Sequence, residues 1–262
     1  MLVHLIADYG VGDPAFSEVS QRLHFYLENA QIVPLSVPAF STLATGFWVA
    51  QLGLNLAPKD TLIYHNCAPR RDDRQGRRDN EGEGLVYALL PNGIQVVGVY
   101  AGFTLSFIKE HALSLRTINV ARAGSQFRSR DIFPIAASEI AQQKLELLGD
   151  ALDRQSLPPI PDNQLAWVDG FGNLKTTIVH SSIDLEVGSK LVVRVGDVVS
   201  DAVYTDGSFK VAEGTLAFAP GSSGWNRTDG TTIRFMELFL RGGSAWTRFG
   251  QPRLEQVVSI LR

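Results

Sequence analysis

The chain has 262 residues, 45% of them hydrophobic and 19% charged, with 24 Lys plus Arg against 27 Asp plus Glu and a formal net charge of −3. That composition excludes general disorder, which needs few apolar side chains and strong net charge, and it lacks the basic excess of a nucleic-acid binder. A single cysteine, Cys67, excludes an intramolecular disulfide and a cysteine-built zinc cage.

The pattern from the N-terminus is that of a parallel sheet with crossover helices. Leu2 to Ala7 is a short apolar run, as in a strand buried on both faces. Asp13-Pro14 is a helix start, an N-cap oxygen followed by a fixed φ, and Phe16, Val19, Leu23 and Leu27 follow as one stripe. Gln31 to Val37 predicts a second strand. Ser41 or Thr42 caps a second helix bearing Leu43, Phe47 and Leu52, and Thr61 to Asn66 predicts a third strand. Arg70 to Gly84 then carries five arginines, five acidic residues and three glycines without an apolar side chain. It reads as a solvated, mobile loop, or as a lid or anion-binding segment next to a site. Leu85–Leu90 and Ile94–Val99 flank Pro91-Asn92-Gly93 as a hairpin. Phe103 to Ala112 predicts a helix, Leu115 to Val120 a strand, and Asp131 to about Leu152 the longest helix.

Pro158, Pro159 and Ile160-Pro161 mark a stiff connector. The expected organisation is an N-terminal α/β domain with a mostly parallel sheet over 1–155, a linker over 156–163, and an all-β, barrel-like domain over 164–262. The β-rich runs there are Leu165–Val168, Leu174–Val179, Lys190–Val195, Ala202–Tyr204, Leu216–Phe218, Ile233–Leu240 and Gln256–Leu261. No run reaches the roughly 18 apolar residues of a membrane span, and the first residues lack a signal-peptide pattern, so a cytoplasmic protein is expected.

General catalytic motifs are missing from the sequence: no nucleophile elbow, no P-loop and no paired C-x-x-C. Gly10-Val11-Gly12 lacks the third glycine of a dinucleotide fingerprint, and the five histidines are scattered singly, as core or surface residues are. Three segments carry polar groups where ligands bind. Asp8-Tyr9-Gly10, with Asp13 beyond, follows the first strand, where open α/β sheets receive ligands; the same residues also suit a turn and a cap. Phe127-Arg128-Ser129-Arg130-Asp131 sets charges at a helix start, where Asp131 can cap and the guanidiniums can hold an anion. Asp169-Gly170-Phe171-Gly172-Asn173 reads as a tight β-turn or as a ligand loop with Phe171 stacking and Asp169 and Asn173 holding a zwitterion.

In this order the segments resemble the S-adenosylmethionine hydroxide adenosyltransferases, whose relatives include the S-adenosylmethionine-dependent chlorinases and fluorinases. The matching residues are Ala7-Asp8-Tyr9-Gly10 with Asp13, Phe127 to Phe133, Asp169 to Ile178, and Gly243-Ser244-Ala245. The resemblance spans nearly the whole chain, and the Asp169 loop is its most specific part. It implies a homotrimer that takes S-adenosylmethionine, or an adenosine-like molecule, as substrate or ligand; no further cofactor, no metal, no nucleic acid and no membrane partner are expected. Ligand would then sit between one subunit's N-terminal domain and the next subunit's C-terminal domain. Asp8 would hold the ribose hydroxyls, Asp169 and Asn173 the methionine end, Phe171 would pack on the ligand, and the backbone around Ser244 and Ala245 would contact adenine. The implied chemistry is displacement at C5′ with methionine leaving, for which the nucleophile must be stripped of water and held in line.

The sequence departs from the hydrolytic pattern where water is activated. The family's Asp is Ala68 here, the position seven residues after it is Gln75, its His is Arg128, and its Pro-Asp-Asn-Gly is Val99-Tyr100-Ala101-Gly102. The halogenating relatives also lack that Asp and His, so Arg71, Arg128 and Ser129 become the candidate catalytic residues. Arg71 and Arg128 oppose a sulfonium and favour an anion. A divergent hydrolase giving adenosine and methionine is therefore one expectation. A non-catalytic member that binds a nucleoside or an anionic ligand as a sensor or assembly protein is the alternative, and a structural trimer with a vestigial pocket is a third.

Overall fold

The computed structural model describes residues 1–69, 81–121, 123–227 and 229–261. The chain divides into two compact units, Met1–Pro159 and Ile160–Arg262.

Unit 1 is a layered α/β domain. Strand β1 (Leu2–Ala7) leads to α1 (Pro14–Tyr26), β2 (Gln31–Ser36), α2 (Thr42–Gly53) and β3 (Thr61–Asn66). The hairpin β4 (Leu85–Leu89) and β5 (Gln95–Val99) follows, then β6 (Ser114–Ile118), α3 (Arg128–Asp131), α4 (Phe133–Ala141) and β7 (Leu148–Ala151). The sheet order is β2-β1-β3-β5-β4-β6-β7. β2, β1, β3 and β5 are mutually parallel, and β4, β6 and β7 join antiparallel. The caps follow the local chemistry: Asp13 accepts the Ala15 N–H ahead of Pro14, and Ser41 accepts the Ala44 N–H.

One face of the sheet is sealed by α1 and α4. Val19, Leu23, Phe133, Ala136 and Ile140 pack on Val3, Leu5, Leu62, Tyr64 and Val97. α2 covers the other face: a Cβ built on Gly53 would run into Ile63 and Leu90, and one on Gly46 into the Phe103 carbonyl. α2 carries no charged side chain and has no fully exposed residue, so it is a buried helix with a further layer over it.

That layer explains the first misreading. Phe103 to Ala112 is not a regular helix but a run of turns, mixing bonds to the third preceding carbonyl with bonds to the fourth. The second misreading is the long helix expected to Leu152. It stops at Ala141, Gln143 takes a left-handed φ of 64°, and Leu148–Ala151 pairs as edge strand β7 with β6. Leu145 and Leu148 continue the apolar spacing, but the polar Gln142-Gln143-Lys144 turn reverses the chain.

Unit 2 is all β apart from short turns of helix. Its strands are β8 (Leu165–Val168), β9 (Leu174–Val179), β10 (Lys190–Val195), β11 (Val198–Tyr204), β12 (Leu216–Asn226), β13 (Thr232–Leu240) and β14 (Val258–Leu261), with α5 (Ala245–Arg248) before the last. The order is β14-β10-β11-β12-β13-β9-β8. The outer strands meet. Gln164 bridges Val257, the Val258 N–H donates to the Asn163 carbonyl, the Leu165 N–H donates to the Gln256 carbonyl, and the Leu165 carbonyl accepts the Glu255 N–H. This seam makes the sheet barrel-like around Leu174, Val193, Phe218, Met236 and Leu238.

Candidate functional site

The sheet of unit 1 has a reversal point. β1 continues through α1 to β2 on one side, and β2 returns through α2 to β3 on the other, with the two helices on opposite faces. The crevice beyond the carboxyl ends of β1 and β3 is where such sheets receive ligands. Asp8 stands there. Its N–H donates to the Asn66 carbonyl (3.1 Å), and its Oδ2 accepts the Phe40 N–H (3.1 Å). Phe40 has a φ of 66°, an uncommon conformation for an aromatic residue, and its ring is exposed. The sequence reading missed Phe40, because nothing in Pro38-Ala39-Phe40 announces a left-handed residue.

Beside Asp8, the Tyr9 hydroxyl and Ser129 Oγ lie 2.6 Å apart, and the Tyr64 hydroxyl donates to the Ser129 carbonyl (2.7 Å). Tyr9 is wedged edge-on against Phe16 and Phe127. Burial pushes both phenols above the ordinary tyrosine range, so they are neutral hydroxyls rather than bases. Ser129 is therefore fixed by two tyrosines from β3 and from the end of β1.

Arg128, 8% exposed, donates to the Glu83 carbonyl (2.9 Å) and the Ala121 carbonyl (3.1 Å), and its guanidinium stacks 4.7 Å from the Phe133 ring centre. It clamps two loops onto α3 and α4. Ala68 packs on the apolar cluster and brings no carboxylate. Asp13, exposed, caps α1 through Oδ1 (2.8 Å to Ala15 N). Asp131 is neither cap nor first-turn residue of a long helix. It closes α3, accepting from Ser125 Oγ (2.5 Å) and from Arg130, which also reaches Glu18 of α1 (2.6 Å). The Arg130 and Ser125 hydrogen bonds hold the Asp131 carboxyl down at about 2. Arg71 and the rest of 70–80 lie outside the described residues.

The second group of expected site residues stands in unit 2, between β8 and β9. Asp169 Oδ1 accepts the N–H groups of Phe171 (2.9 Å) and Asn173 (3.0 Å), and Oδ2 accepts Asn173 Nδ2 (2.9 Å). Gly172, at φ 80°, packs so close to Ser244 that any Cβ would strike its Oγ, and the Gly172 carbonyl accepts the Trp246 N–H (2.8 Å). Ser244 caps α5 through Thr247 N–H, and Ala245 is fully buried. Asp169, Asn173, Ser244 and Ala245 thus brace one rigid turn, from which Phe171 projects 82% exposed. Two charged residues support it from below. Lys175 Nζ lies 2.8 Å from Glu237 Oε2 and 3.8 Å from Asp169 Oδ2. The sequence reading missed this pair, since only strand pairing brings Lys175 of β9 beside Glu237 of β13.

Among the described residues, no cluster of three or more His, Cys, Asp or Glu could hold a metal, and no helix is long and apolar enough to cross a membrane. The fold is shared with solved structures. An uncharacterized conserved protein from Thermotoga maritima superposes with a TM-score of 0.76 at 18% identity, over 98% of this chain and 99% of that one. A conserved hypothetical protein from Thermus thermophilus gives 0.65 at 19% identity over 99% of both chains. At such identities the likeness establishes the fold alone. No protein-family model and no curated protein matches the chain.

Proposed function

We propose that the protein binds S-adenosylmethionine or an adenosine-like small molecule, with Asp8 receiving the ribose hydroxyls. The observation that carries this reading is the Asp8 carboxylate at the carboxyl end of β1, in the crevice of the reversal point, flanked by an exposed aromatic ring. The braced Asp169–Asn173 turn with its projecting Phe171 suits an apolar or flat portion of the same class of ligand.

Whether turnover accompanies binding depends on the nucleophile's seat. The hydroxyl pair Tyr9–Ser129 favours displacement at C5′, in which hydroxide or a halide forms a bond to carbon as the carbon–sulfur bond breaks and neutral methionine leaves. Arg128 favours the non-catalytic alternative, because the residue at the family's histidine position serves as a clamp on carbonyl groups. A homotrimer and a cytoplasmic, reducing setting complete the proposal; sedimentation at the mass of a single chain would remove the trimer.

Two measurements separate the alternatives. Calorimetric titration with adenosine and with S-adenosylmethionine is expected to give saturable binding, weakened at least about tenfold by Asp8→Ala. No binding of either compound overturns the proposal. A stoichiometric incubation with S-adenosylmethionine, read by mass spectrometry, then reports adenosine and methionine above the protein-free blank for an enzyme, and binding without products for the non-catalytic alternative.

A further inference from the structure

We propose that His65 is an acid-sensitive latch beneath α2, whose protonation loosens that helix and with it the Phe40–Asp8 contact. Leu62 and Tyr64 of β3 belong to the cluster under α1 and α4. Strand alternation therefore turns Ile63 and His65 to the α2 face. The imidazole is fully buried, and neither ring nitrogen has a hydrogen-bond partner among the described residues. Its seat is shaped for it: the residue directly alongside in β5 is Gly98, where any Cβ would overlap the ring.

Among the described residues, no side chain gives the ring an acceptor, and burial acts on it without an offsetting charge. β1, α2, β3 and β5 contain no acidic residue. On the same face β1 offers Ile6 alongside and His4 two residues earlier, Asp8 follows two residues later with its carboxylate accepting the Phe40 N–H, and β5 offers Val96 and Gly98. α2 has no ionisable side chain, and the covering turns carry Lys109, Glu110 and His111, of which Lys109 donates to the Leu157 carbonyl and Glu110 is exposed. Burial depresses the imidazole from 6.5 to about 3. Between those values every pH unit favours by up to about tenfold any state in which the ring reaches water.

α2 is the element such an opening would move. Its polar ties include the Ser41 cap, Thr42 Oγ1 accepting the Phe103 N–H, and the Gly53 carbonyl accepting from Asn92. Phe40, whose N–H rests on Asp8, is the residue before the cap. Loosening α2 at its N-terminus therefore alters the surroundings of Asp8, whichever ligand Asp8 receives.

Hydrogen exchange of the full chain at pH 7.5 and 5.0, corrected for intrinsic rates, tests the latch. Protection over Thr42–Gly53 is expected to fall about 30-fold at pH 5.0 relative to β9 and β13, and this loss is expected to vanish in His65→Leu. An equal loss in His65→Leu, or an equal loss in β9 and β13, overturns the proposal. Should His65→Leu fail to fold, an NMR titration of the unaltered protein decides. A His65 ring that stays neutral at pH 5.5 in the folded state supports the latch, and one that titrates near 6.5 overturns it.

Discussion

Acid acts in the same direction on several single residues, His65 and Asp131 among them. His65 is uncharged in the fold, while the unfolded chain takes up its proton near 6.5. Its contribution is thus complete above about pH 6.5 and is lost as pH falls toward 3, at up to about 1.4 kcal/mol per pH unit. Asp131 is held at about 2 against 3.8 in the open chain, so its contribution is present above about pH 4 and is lost below it. Urea unfolding between pH 8 and 2.5 should therefore show two stages of declining stability, the upper flattened by His65→Leu and the lower by Asp131→Asn. Only part of this was legible in the sequence. The caps at Asp13 and Ser41 could be read because each serves its own next turn. Arg128, Ser129 and His65 could not, because their surroundings come from Glu83, Tyr9, Tyr64 and Gly98, which lie elsewhere in the chain.

At the scale of elements, the decisive case is α2 and the turns laid over it. Gly46 sits mid-helix, where alanine would ordinarily gain about 1 kcal/mol from helix propensity. Here its Cβ would enter the Phe103 backbone carbonyl, which cannot swing aside as a flexible side chain can. Gly46→Ala is expected to destabilise by about 1–3 kcal/mol, read from the urea midpoint at unchanged slope; a gain in stability would contradict the packing of these turns on the helix. The same layering accounts for the Phe103–Ala112 misreading. Its apolar residues pack on that helix, Phe107 edge-on to Phe47 and the Phe103 carbonyl against Gly46, while its backbone mixes two kinds of turn bond. The strands were far more legible. β1, β3, β8, β9 and β10 have the bounds expected from apolar runs and turn residues, and the Pro91-Asn92-Gly93 hairpin joins β4 to β5 as predicted.

For the molecule as a whole, the change of period after the prolines foreshadowed an α/β unit and a β unit, and the structure divides the chain between Pro159 and Ile160. Strand order was not legible. The crossing of β5 ahead of β4, and the return of β8 to β14, depend on partners that no local pattern names. The seam of unit 2 offers a test. Val258 donates its N–H to Asn163 (2.7 Å) and pairs with Val195 in β10. Val258→Pro removes that donor within a ladder and is expected to cost about 3 kcal/mol or more. Hydrogen exchange should then show β9 and β13 opening at lower urea than β1 and β3.

The seam also bears on how quickly the β unit assembles. Its bonds join residues 163–165 to 255–258, nearly the whole length of the unit apart. Contacts between such distant positions form only after the intervening chain has been ordered, which lengthens the search and slows the reaction. Until the seam closes, β8 and β14 are open edges, able to pair with a strand of another molecule. The step that completes the barrel is therefore also the one during which the chain is most exposed to aggregation, and refolding yield should fall with protein concentration more steeply when closure is delayed.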